Sequence, residues 1–165
     1  MSRKSLAHLD CALANTVEML NDSWTVLILR DAFLGVRRFD EFVNDLGIAR
    51  NVLTDRLERL VANGMMETRI YQERPARYEY RLTEQGKDLF DLLMTLWSYG
   101  ERWKPPVGPR RQTVIHVGCG HEAEAVAHCG NCGERLSRRE VRIEPALPVV
   151  QSRLEQIAAA ASGAE

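Results

Sequence analysis

The chain has 165 residues, enough for one domain with an appendage and a real hydrophobic core. Its hydrophobic fraction of 45% and charged fraction of 27% are those of a globular protein; a net charge of −1 gives nucleic acid no overall attraction, so any such attraction must come from a local patch. No apolar run reaches membrane-spanning length and the start, MSRKSLAHLD, lacks a signal-peptide core, so the expected location is the cytoplasm, with no membrane.

Asp10 is placed to cap a first helix through Leu20, with Leu13, Val17 and Leu20 on one face. Asp22 or Ser23 starts a second, very apolar helix, WTVLILRDAFL, expected to cross the domain centre with Trp24 in the core. Arg37-Arg38 opens a third, RFDEFVNDLG, and Gly47 breaks the chain after it. In the next helical stretch Leu53, Leu57 and Leu60 fall at i, i+4 and i+7 and define one buried stripe. Arg50, Asn51, Thr54, Asp55 and Glu58 fall on the other side, and Asn63-Gly64 ends the helix with a glycine suited to a left-handed cap. Two β-prone runs, Met66 to Gln72 and Arg77 to Leu82, flank Glu73-Arg74-Pro75-Ala76. Tyr78, Tyr80 and Leu82 alternate with Arg77, Glu79 and Arg81 as in a half-buried strand, while Pro75 cannot donate to a ladder and belongs in the loop. Thr83 then caps a long helix from Glu84 to Trp103. Its Leu89, Leu92, Leu93, Leu96, Trp97 and Tyr99 make it more apolar than a surface helix needs, which predicts a dimer interface.

Short helices, a tight turn, a further helix and a strand pair are the order of a winged helix-turn-helix, a mainly α fold with a small β component. Its polar recognition face predicts base contacts from Arg50 and Asn51, and phosphate contacts from Thr54, Arg56, Arg74 and Arg77, with Arg38 at the head of the preceding helix. Arg56 stands beside Leu57 and is the one at risk of being drawn into the domain. Between Arg30 and Arg81 all ten basic residues are arginine, the side chain that best grips phosphate and guanine. Nine acids share that window, so placement rather than excess carries the argument, and Arg59 and Arg69 read as members of solvated salt bridges.

Beyond residues 1-104, a proline-bearing linker at 105-112 leads to a small segment at 113-145 and a tail at 146-165, where VVQSRLEQIAAAA predicts a short helix. The segment holds His116-x-x-Cys119-Gly120 and Cys129-x-x-Cys132-Gly133. Each half has the spacing of a zinc knuckle, with glycine where the backbone turns under the metal. His116, Cys119, Cys129 and Cys132 therefore predict one structural zinc in a zinc-ribbon-like segment, with β-prone flanks at Thr113 to Val117 and Glu140 to Ile143. His121 is an alternative fourth ligand. Three thiolates and an imidazole leave no open position for a substrate, and so short a segment needs the metal to fold.

The run from Cys11 to Trp103 resembles the HxlR-type group of winged-helix regulators, relatives of the MarR regulators. The resemblance rests on Cys11, on WTVLILRDAFLGVRRFDEF from Trp24, on LTDRLERLVANGM from Leu53, on PARYEYRLTEQG from Pro75 and on LWSYGERW from Leu96. It implies a homodimer, formed by the first and last helices of the winged domain, that reads a pseudo-palindromic operator in double-stranded DNA as repressor or activator. It also implies a possible oxidant or electrophile sensor at Cys11, where a helix N-terminus lowers a thiol's pKa. The alternatives are a thiol-based regulator using Cys11 or the Cys129/Cys132 pair, a winged helix that docks protein, and a zinc- or thiol-dependent enzyme. No nucleophile stands beside a recognisable base, so no enzymatic activity is expected. A small-molecule or redox effector remains compatible with the pattern.

Overall fold

The computed structural model describes residues 5–6, 8–20, 22–105, 112–138 and 141. Two compact units divide the chain, Met1–Ala125 and Val126–Glu165. The larger runs α1 (Ala12–Leu20), α2 (Ser23–Phe33), α3 (Phe39–Leu46), α4 (Arg50–Ala62), β1 (Met66–Glu73), β2 (Ala76–Leu82), α5 (Glu84–Lys87) and α6 (Phe90–Trp103).

The local signals act as elementary chemistry requires. Asp22 caps α2, its Oδ1 accepting from the amides of Trp24 and Thr25 at 2.8 and 3.1 Å. Gly47 ends α3 at φ 62°, and Gly64 follows α4 at φ 73°, the left-handed region that a side chain would resist. Leu53, Leu57 and Leu60 are buried with Ile28 and Leu29 of α2, Phe42 of α3, and Ile48, Met65 and Met66. Each such side chain contributes roughly 1.5–3 kcal/mol on leaving water. Trp24 is half-buried at the rim of this core rather than inside it.

β1 and β2 pair antiparallel, Met66 opposite Leu82 through Glu73 opposite Ala76, with an irregularity between Ile70 and Gln72. Arg74 and Pro75 form the turn. Arg38 adds a single bridge to Glu79, and the Tyr80 amide donates to the Arg37 carbonyl at 2.8 Å, so the chain entering α3 lies along β2. Tyr80 and Leu82 pack on the core as their alternation predicts. Tyr78 does not: it is 50% exposed, because the hairpin tip extends past the helices.

The single long helix expected from Glu84 to Trp103 is instead two, α5 and α6. Within α5 the backbone comes close to the end of the α4 turn at Gly86, where a Cβ would lie 2.0 Å from the Met65 carbonyl oxygen. Thr83 fastens the same place: its hydroxyl donates to the Gly64 carbonyl at 2.6 Å and accepts from the Gly86 amide at 3.1 Å. The chain then turns at Asp88 and Leu89 before α6 begins. On α6, Leu93 packs on the domain's own core. Leu92, Leu96, Tyr99 and Trp103 form the stripe left exposed.

Residues 113–125 cluster in the same compact unit as the winged domain. The Ala125 amide donates to Ser98 Oγ at 2.8 Å, Arg102 pairs with Glu124, and a cavity of about 380 Å³ opens between α6 and residues 113–124 beside Trp97. The strand expected at Thr113 to Val117 is reduced to one bridge, Ile115 to Glu122. Apart from Val141, the flank at Glu140 to Ile143 lies outside the described residues, as do most of the linker and the whole of the C-terminal helix expectation.

One interior ion pair ties these elements together. Arg56 of α4 reaches Asp22, the cap of α2, at 2.5 Å, with both side chains about one-fifth exposed, and it also pairs with Asp55. Arg56→Ala is expected to cost about 1–2 kcal/mol, between the values for surface and buried pairs, and to lower the melting temperature by several degrees in calorimetry. The salt dependence of DNA binding should stay as in the parent chain.

Candidate nucleic-acid interface

The leucine stripe fixes the rotation of α4 and turns Arg50, Asn51, Thr54 and Glu58 to solvent. Ala49 stands at the cap position and supplies no side-chain acceptor, so the amides of the first turn keep their partial positive charge unshielded by a capping carboxylate or hydroxyl. The exposed N-terminal end of α4 thus combines backbone donors with Arg50 and Asn51. Thr54 is exposed, but its hydroxyl donates to the Arg50 carbonyl at 2.9 Å and is partly spent there.

The arginines separate by partner. Six of the ten between Arg30 and Arg81 meet carboxylates: Arg30 (Asp31 and Asp45), Arg50 (Asp40), Arg56 (Asp22 and Asp55), Arg59 (Asp55), Arg69 (Glu67) and Arg81 (Glu79). Arg59 and Arg69 are the solvated pairs expected of them. Arg56, a phosphate candidate, already has partners, its guanidinium pairing with Asp22 and with the half-exposed Asp55. Asp31 is buried at 1% exposure, and burial raises its carboxyl pKa against the pull of Arg30.

Arg37, Arg38, Arg74 and Arg77 form no ion pair among the described residues. Arg74 and Arg77 are exposed at the hairpin tip. The Arg38 guanidinium lies over the Tyr71 ring, 4.6 Å from its centroid, which holds it without neutralising it. Glu41, in the first turn of α3, accepts from the backbone amides of Arg37 and Arg38 at 3.2 and 2.9 Å. Those two bonds hold its carboxyl below the usual carboxylate range. Between α3, the start of α4 and the hairpin lies a groove of about 590 Å³, bordered by Arg38, Arg50, Arg77, Tyr71 and Tyr78. Sequence reading missed the two tyrosines; their exposure on a strand beside arginines was the available signal.

The cysteines lie elsewhere. Cys11 is exposed immediately before α1, and its carbonyl accepts from Asn15. In the larger unit the amides of Cys119 and Gly120 turn back to the His116 carbonyl at 3.2 and 2.8 Å. His116 Nδ1 lies 3.2 Å from Cys119 Sγ, and Gly120 has φ 73°. The His121 carbonyl accepts from the His116 amide. In the smaller unit the Gly133 amide donates to the Cys129 carbonyl at 2.8 Å, and Gly133 has φ 75°. The amides of Cys132 and Asn131, with the Cys132 thiol, push the Cys129 thiol pKa down. Among the described residues no three His, Cys, Asp or Glu side chains are gathered as a metal-holding group.

The chain is similar to several known proteins. An uncharacterized HTH-type transcriptional regulator of Mycobacterium tuberculosis (Rv3095) is 41% identical over 135 residues, covering 81% of this chain and 85% of that one. Another, sll1512 of Synechocystis, is 33% identical over 94 residues, covering 56% of this chain and 70% of its own. The crystal structure of PA1607 superposes with a TM-score of 0.75 at 31% identity, covering 86% of this chain and 99% of that one. The redox regulator HypR in its reduced form gives a TM-score of 0.53 at 27% identity over 56% of this chain and 92% of its own. The HxlR-like helix-turn-helix pattern matches residues 19–107, the span that carries the leucine stripe, the hairpin and α6, and the chain belongs to that family.

Proposed function

We propose that this chain is a transcriptional regulator that binds double-stranded DNA as a homodimer, α4 entering the major groove and the β1–β2 hairpin serving as the wing. The observation that carries this reading is a pair of arginines that form no ion pair among the described residues, Arg38 and Arg77, on the groove where α3, the start of α4 and the hairpin meet, with Arg74 exposed in the hairpin turn. A solvated salt-bridge face would leave no such excess. Relatives named as transcriptional regulators support the same reading. Arg50 and Asn51 take the base-reading roles, and Arg38, Arg74, Arg77 and Thr54 the phosphate roles. Twofold symmetry then spaces the half-sites about 34 Å apart.

The dimer surface is the exposed stripe Leu92, Leu96, Tyr99 and Trp103 of α6, with Leu13 and Val17 of α1. Leu13 at 71% and Trp103 at 66% exposure are side chains that a partner would shield. Leu93 and Trp97 are not counted with them, the first packing on the core and the second lying beside the 113–124 segment.

One zinc per chain on Cys119, Cys129, Cys132 and His116, with His121 as the alternative nitrogen ligand, completes the proposal. Its support is the ligand spacing and the form of each turn, a cysteine followed by a glycine at positive φ. Bound zinc would supply structural cross-linking, without an open position for chemistry. A thiol-sensing regulator is the competing reading, favoured by the lowered pKa of Cys129 and by the likeness to a redox regulator. Among the described residues no helix is long and apolar enough to cross a membrane.

Three measurements check these points. Arg74→Ala should weaken binding to all duplexes alike and reduce the salt slope by about 0.9 for the lost phosphate contact. An altered base preference with an unchanged slope would remove Arg74 from the wing contact. Light scattering at micromolar concentration should report twice the 18.8 kDa chain mass without DNA, and Leu96→Glu should shift it toward one chain. Metal analysis of untagged, reduced protein should find one zinc per chain that Cys132→Ser loses, while DNA binding persists. Metal-free protein with a readily formed Cys129–Cys132 disulfide would establish the thiol reading instead.

A further inference from the structure

Arg50 is the first residue of α4, and its guanidinium is already held. Nη2 donates to Asp40 Oδ1 at 2.7 Å, and the guanidinium carbon lies 5.0 Å from the centroid of the Phe39 ring. Both partners come from the first turn of α3. The ion pair is open to water, with side-chain exposures of 66% for Arg50 and 75% for Asp40, and pairs of that kind add little to folding stability. Asp40 also places an exposed negative charge on the groove that borders Arg38 and Arg77, where it repels phosphate. A residue that contributes little to the fold and opposes backbone binding needs another reason to stand there.

We propose that Asp40 is a positioning residue that makes Arg50 a reader of guanine rather than a general phosphate grip. The inference rests on the DNA-binding reading and assigns a specificity determinant within it. An arginine recognises guanine by presenting two parallel N–H bonds to O6 and N7, which demands a fixed guanidinium plane. A free arginine samples many rotamers and meets the nearest phosphate instead. Asp40 engages one nitrogen from the side and Phe39 restrains the plane, so the remaining N–H groups keep one orientation. The carboxylate adds selectivity in a second way, weakening every complex in which Arg50 finds only backbone.

The test uses the full chain and a duplex that it selects from a random pool, together with single base-pair variants of that duplex. Arg50→Ala should flatten preference at one guanine per half-site. Asp40→Ala should flatten the same position, lowering discrimination about tenfold, while binding to mismatched duplexes tightens. Asp40→Asn keeps an acceptor for Nη2 and removes the charge, so discrimination should survive even as mismatched binding tightens. In the Arg50→Ala background, Asp40→Ala should no longer change base preference. A merely structural role for Asp40 would alter melting temperature and leave the preference intact. The proposal is overturned if Asp40→Ala tightens every duplex equally with preference unchanged, or if Arg50→Ala leaves all preferences as they were. A parent chain that selects no duplex would instead overturn the DNA-binding reading itself.

Discussion

Three leucines set the rotation of one helix, and the rest of the molecule follows from that angle. Leu53, Leu57 and Leu60 are buried to within 1% against α2, α3 and the two methionines that begin the hairpin. Replacing any one by alanine would cost about 2–5 kcal/mol, a large share of a small domain's stability, so α4 cannot turn to bury its other face. What lies opposite the leucines is therefore held toward solvent by packing. The core decides which polar residues are offered, and the offered residues decide what can be bound.

Electrostatics sharpens the offer by subtraction. With nine acids against ten arginines in the same window, the domain could have been electrostatically bland. Instead several carboxylates are already committed: Asp55, with Asp22 from outside the window, takes Arg56, Glu67 takes Arg69, Glu79 takes Arg81, and Glu41 is turned onto backbone amides. Of the cations left over, Arg38 and Arg77 border the groove between α3 and the hairpin. A chain with net charge −1 can in this way carry a basic surface without being a basic protein.

Much of this was legible from residue order because it is local. The leucine stripe, the Asp22 cap, the glycine after α4 and the proline in the hairpin turn act within a few positions of themselves, and each forms as expected. Departures arose where distant segments meet. The break between α5 and α6 was not expected from the run Glu84 to Trp103, nor was the approach of the Met65 carbonyl to Gly86. Arg56 could be flagged from its place beside Leu57, but its partner Asp22, far back in the chain, could not be named. Tyr78 alternates correctly but lies beyond the edge of the core, a distance that periodicity does not encode. Arg50 and Asn51 could be named from helix position alone, whereas the hold that Asp40 and Phe39 have on Arg50 required two elements to be placed together.

The first residues of the segment after the proline linker lie against α6. Residues 112–125 share one compact unit with the winged domain, and Ser98, Arg102 and Trp97 of α6 all turn toward it. A family member that stops near the end of α6 has to finish that flank of the helix some other way, with different side chains or a different neighbour. Gain or loss of the tail during descent is thus tied to rewriting α6 itself. Tail length and the sequence of this one helix are expected to be inherited as a pair.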